Sequence, residues 1–198
     1  MFRILTVAWA LGLIASGFAP YDRGTWLMEV LPAIIAWPIL FATRQRFRFT
    51  DLAYALIMVH GLILMAGGAW TYARVPFGFW IEDAFGLSRN PYDKIGHFAQ
   101  GFVPAIIARE LLVRVFRIGS GRLVAFLAVS ICLAISAAYE LVEWGAALAL
   151  GQGADEFLGT QGDPWDTQSD MLMALIGALA VLLLWPLHDR AMQRVKGG

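Results

Sequence analysis

The chain has 198 residues, of which 59% are hydrophobic and 15% charged, and its mean hydropathy is +0.65. An average soluble domain carries about 25% charged residues, so this composition selects a bilayer as the solvent. Fifteen basic and fifteen acidic side chains cancel, and no basic run with interleaved aromatics marks nucleic acid as a partner. The single cysteine, Cys132, lies in an apolar run and allows no intrachain disulfide. The length fits one transmembrane domain over residues 1–198, with no linker and no internal repeat.

Ile4 to Pro20 is the first apolar run. Arg3 before it and the small residues Ala15 to Ala19 would also suit a signal peptide, but the charge partition below favours a retained span. Trp26 to Phe41 is the second run, with Pro32 and Pro38 inside it, and it ends at Arg44, Arg46 and Arg48. Leu52 to Trp70 is the third, followed by an amphipathic loop from Thr71 to Asn90. Ile95 to Val115, Val124 to Leu150 and Met171 to Leu187 complete the set. Each is near the ~20 residues that cross ~30 Å of hydrocarbon. The expected fold is all-α: a polytopic integral membrane helix bundle of about six transmembrane helices.

Orientation follows from the charges. If six spans alternate, eleven of the fifteen basic residues fall on one side: Arg3, the arginines from 44 to 48, those from 109 to 122, and Arg190, Arg194 and Lys196. By the positive-inside rule that side is cytoplasmic, and both termini lie there. The acidic residues do the reverse, with only Asp51, Glu110 and Asp189 on the basic side. Acidic groups contribute little to the insertion rule, so their outer concentration needs a second cause.

The same threading brings polar motifs together. From Glu140 to Asp170 the chain holds seven carboxylates and no Lys or Arg. Glu140 lies about 27 Å of helix rise beyond Arg122, with Glu143 on the same face at i+3. Asp163, Asp166 and Asp170 lead into the last span, and Asp93, Lys94 and His97 open the fourth. Three remote segments therefore deliver an imidazole and several acids to one membrane surface. Tyr72 and Arg74 in the third loop reach the same face, and an arginine there suits a phosphate.

Each piece also has a plainer explanation. Asp163-Pro164 reads as an N-cap with Pro at the first helical position, which puts Asp166 at N3, favoured by the helix dipole. Asp93 reads as a cap with His97 its i+4 partner, and Glu143-Trp144 as an interface anchor. Asp170 and Glu140 resist this treatment, because an ionisable group in an apolar helix usually faces an interior partner. His60, mid-span, is either functional or bonded to a neighbouring helix. Arg109 is expected to snorkel and Glu110 to pair with a nearby arginine.

Three stretches carry a family resemblance: Tyr92 to Pro104, which includes Gln100; Tyr139 to Trp144; and Gly159 to Asp170. Together they resemble the YjdF-like family of bacterial inner-membrane proteins, over about the whole chain. Asp93-Lys94, His97-Phe98, an acidic residue late in the next span, then Asp166, Asp170 and Gly177 carry a looser likeness to VanZ-like membrane proteins, with Ala174 where that pattern tends to carry Asn; it implies an outer-leaflet or cell-envelope setting.

Three functions fit these residues. An enzyme acting on a lipid headgroup or lipid-linked phosphate would use His97, oriented by Asp93, as acid or base, with Glu140 and Asp170 beside it. Glu140, Glu143, Asp166 and Asp170 would hold a divalent cation, Mg²⁺, Mn²⁺ or Zn²⁺. Tyr72, Arg74, Lys94, Gln100 and Asp163 would contact substrate. A transporter would pass protons or a cation inward through His60. A non-catalytic envelope component would use the acidic mouth to bind a cationic partner. No zincin, Walker or nucleophile-elbow motif names a reaction.

Overall fold

The structure, a computed structural model, describes residues 2–150 and 161–196. The acids Asp155 and Glu156, and Gly159 and Thr160 of the third motif, lie outside the described residues. All regular structure among those described is helical. The helices are α1 (Phe2–Phe18), α2 (Arg23–Thr43), α3 (Asp51–Trp70), α4 (Pro76–Phe85), α5 (Tyr92–Glu110), α6 (Arg122–Leu150), α7 (Asp166–Ala180) and α8 (Trp185–Lys196). Four stretches are long and apolar enough to cross a bilayer: Arg23–Thr43, Asp51–Trp70, Arg122–Ala149 and Asp166–Val195. Helix α1 is apolar but shorter, at 17 residues.

Local chemistry sets the helix ends. Asp22 Oδ1 accepts the Thr25 N–H at 2.7 Å and caps α2; that bond holds the Asp22 carboxyl below its usual pKa. Thr50 Oγ1 accepts the Ala53 N–H at 3.1 Å and caps α3. Gly86, in the left-handed region at φ 60°, closes α4.

Helix α5 is the centre of the bundle. Twelve of its 19 residues are buried, among them Asp93, His97, Arg109 and Glu110, and it packs against α3, α6 and α7. It is not among the apolar spans because Asp93, Lys94, Arg109 and Glu110 make its composition too polar. Helices α5 and α7 approach closest, through glycines: a Cβ on Gly101 would stand 1.8 Å from the Ala174 carbonyl oxygen, and one on Gly177 would stand 2.1 Å from that of Phe98. Small residues permit such backbone approach within membranes. Aromatics fill the other side, where Trp9 stacks on Trp37 at 4.5 Å between ring centroids.

Several boundaries differ from those expected. The loop from Thr71 to Asn90 contains a 3₁₀ turn, Tyr72–Arg74, and helix α4, started by Pro76. The run expected from Ile95 to Val115 is α-helical only to Glu110 and ends in a π turn, Leu111–Val115. The last span starts at Asp166, and a 3₁₀ turn, Val181–Leu184, inside it separates α7 from α8. Pro186 has no N–H to return to Leu182, which accounts for that break. Asp163 and Asp93 are not N-caps; Trp165 and Pro91 hold those positions, and Asp163 Oδ1 instead accepts the Trp165 N–H in a turn, at 2.9 Å.

Candidate functional site

The first turns of α5 and α7 face each other. His97 stands one turn after Asp93, with its Nε2 3.4 Å from Asp93 Oδ1 and 3.8 Å from Asp170 Oδ2. Its Nδ1 lies 2.8 Å from Gln100 Oε1 and 3.8 Å from Glu140 Oε1. An amide oxygen only accepts, so Nδ1 carries a proton and donates it to Gln100. That leaves Nε2 pointing at two carboxylates. A bare lone pair there would be repelled, so the arrangement calls for a proton or a cation between them. Asp93, His97 and Asp170 are all buried, and each offers one ligand atom within 4.8 Å of the others. Asp93 Oδ2 and Glu140 Oε1 are buried without a hydrogen-bond partner among the described residues.

A second layer of cations sits beside these acids. Lys94 Nζ donates to Asp170 Oδ1 and Ser169 Oγ at 2.6 Å and to Asp166 Oδ1 at 2.7 Å. Arg89, in the loop before α5, bonds Asp166 and stands 3.3 Å from Asp163 Oδ2. Burial works against the Arg89 charge, but the hydrogen bond and charge of Asp166 outweigh it and raise the guanidinium pKa. Asp166 therefore serves two protein cations. Of the four carboxylates expected to hold a metal, Asp170 alone joins the cluster, and Asp93 and His97 complete it.

Behind the cluster lies a cavity of about 140 Å³, lined by Asp93, His97, Gln100, Tyr72, His60 and Glu143, among others. Tyr72 reaches it because two glycines make room: Cβ atoms on Gly67 and Gly96 would lie 2.4 and 2.6 Å from its ring. His60 Nε2 is buried with no hydrogen-bond partner among the described residues. Arg74 does not line the cavity; its guanidinium covers the Tyr21 ring at 4.3 Å. Glu29 of α2 and Tyr139 of α6 also line it. They were absent from the expected site, although an ionisable residue within the second apolar run was a visible signal for Glu29.

The other end of α5 holds a second buried network. Glu110 accepts from Thr50 N–H at 3.1 Å, from Thr50 Oγ1, and from Arg114 at 2.6 Å, and His188 Nε2 lies 3.0 Å from it. Arg109 does not snorkel. It is fully buried, bonded to Asp189 and covered by the Trp185 ring at 4.2 Å, because α8 folds back over it. Arg109 pairs with Asp189 and Glu110 with Arg114 and His188, which ties α8 and the start of α3 to α5 as a staple, although Arg109 Nε and His188 Nδ1 are buried without a hydrogen-bond partner among the described residues.

Residues 1–190 match a family described as "Predicted membrane protein (DUF2238)". The chain belongs to this family. It is similar to "Inner membrane protein YjdF" of Escherichia coli (strain K12), with 57% identity over 183 residues, covering 92% of this chain and 88% of that protein. No solved structure matches. With the apolar helices already described, these findings make the family member an all-helical, multi-pass inner-membrane protein.

Proposed function

We propose that this protein binds a divalent cation through Asp93, His97 and Asp170 at the outer face of the inner membrane and uses it to act on a lipid headgroup or lipid-linked phosphate. The observation that carries the reading is the approach of His97 Nε2 to two carboxylates, at 3.4 and 3.8 Å. Ligands ~2.1 Å from a shared cation stand roughly 3.0–3.4 Å apart, so a small inward movement would complete the site. Gln100 supports it by fixing the protonated Nδ1, the outer-shell contact that metal-bound histidines need. A bound cation would supply Lewis-acid neutralisation of phosphate charge. Lys94 and Arg89 would add positive charge at the mouth, with side chains 19 and 20% exposed. Six crossings with both termini in the cytoplasm belong to the same proposal, supported by the charge partition.

One observation favours a second reading, cation or proton transport: His60 lines the same cavity as His97, deeper along the bundle. Reconstitution separates the two. Vesicles holding the full chain, Mn²⁺ and an isoprenoid diphosphate or a phospholipid are assayed for released phosphate or headgroup and, separately, for cation flux. Product formation abolished by His97→Ala supports the enzyme, whereas flux without product supports transport. Neither activity in folded protein would sink both.

A further inference from the structure

Away from the cavity, the arginine-bearing end of the bundle holds a groove of about 820 Å³, within the ~300–1,000 Å³ range of small-ligand sites. Its walls come from two segments remote in sequence. Arg44 and Arg48, between α2 and α3, form one wall, and Arg190 and Arg194, one turn apart on α8, form the other. Asp51 is the single acid in the lining, and it pairs with Arg48 at 3.1 Å. Among the described residues, no carboxylate lies within ion-pair distance of Arg44, Arg190 or Arg194. Arg44 is held in place, with its guanidinium 3.7 Å over the Phe41 ring and an N–H given to the Phe41 carbonyl at 2.6 Å.

Apolar residues fix the depth of this groove. Leu187 is part of its lining and is 52% exposed, and Phe41 and Leu183 beside its two walls are 49 and 83% exposed. In a multi-pass protein such residues face acyl chains, so the arginines next to them stand at the level of the lipid phosphates. A run of arginines that served only to orient the chain would need no hollow, and Arg46, from the same run, stays out of the lining.

We propose that this groove is a binding site for the phosphodiester headgroup of an anionic phospholipid, clamped between Arg44 and Arg48 on one wall and Arg190 and Arg194 on the other. Guanidinium forks suit phosphate oxygens, and the adjoining Leu187 and Leu52 suit the first carbons of the acyl chains. The site is independent of the His97 cluster.

The test titrates the full-length protein in a neutral detergent with dioleoyl phosphatidylglycerol, dioleoyl phosphatidylcholine or inorganic phosphate, and reads bound ligand by native mass spectrometry. Wild type should retain phosphatidylglycerol over phosphatidylcholine, and the double variant Arg190→Gln/Arg194→Gln should weaken that binding about tenfold or more. Arg46→Gln, the same loss of charge outside the groove, should leave it unchanged. The single variant Arg194→Gln guards against misfolding of the double one and should fall between. Equal losses in Arg46→Gln and the double variant would show diffuse attraction and overturn the proposal. Equal retention of the two lipids would do the same, as would inorganic phosphate displacing phosphatidylglycerol at comparable concentration.

Discussion

The Nδ1 of His97 and the Oε1 of Gln100 lie 2.8 Å apart on one face of α5. This bond decides which nitrogen of the imidazole faces Asp93 and Asp170. Gln100→Leu removes the acceptor and frees the ring to turn, while the helix keeps its apolar packing. Cation affinity should fall roughly 10–100-fold, with the melting temperature little changed. Calorimetric titration with Mn²⁺ checks this, and an unaltered isotherm would remove Gln100 from the site.

Lys94 is the protein's own cation in the cluster, bonded to Asp166, Ser169 and Asp170. Lys94→Met leaves two buried carboxylates without that partner, so the cation-free protein should unfold at lower temperature. Added Mn²⁺ should then raise the variant's melting temperature more than wild type's, because ligand binding stabilises by mass action. Equal responses would mean that Lys94 and a divalent cation do not share Asp170.

Much of this arrangement was legible in the sequence. Helices stand at the apolar runs that hydropathy marks, four of the stretches long and apolar enough to cross a bilayer, and Asp93, His97 and Asp170 come together. Two features were not legible, both for the same physical reason. Which of several nearby acids reaches His97 depends on helix rotation, and Asp166 is drawn instead to Arg89 and Lys94. Glu110 does pair with Arg114 as its i,i+4 spacing suggests, but the rest of its network was not visible, and Arg109 was expected to snorkel. Their partners Thr50, His188 and Asp189 come from elements that only the fold brings near.

That staple gives a separate prediction. Glu110→Ala strips the partner from Thr50, Arg114 and His188 at once. Breaking one member of a buried charge network costs about 3–5 kcal/mol, so the variant should lose much of its folded yield. Whatever folds should bind Mn²⁺ like wild type, since Asp93 and Glu110 sit at opposite ends of α5. Thermal unfolding and titration of the same sample check both halves.

The glycine contact between α5 and α7 positions the two halves of the cluster. Gly177→Ala would place a Cβ 2.1 Å from the Phe98 carbonyl oxygen, and such overpacking typically costs about 1–3 kcal/mol. The helices should separate, lowering the melting temperature and weakening Mn²⁺ binding together. Loss of stability with an intact isotherm would show that the cation site does not depend on this contact.

The most direct test uses Mn²⁺ as a spin probe on the purified, full-length protein. Pulsed electron spin resonance should detect ¹⁴N coupling from one imidazole, absent in His97→Ala, and Asp170→Asn should bind the ion more weakly with its fold retained. Bound Mn²⁺ without nitrogen coupling, or identical spectra from wild type and folded His97→Ala, would contradict a cation held between His97 and the two aspartates.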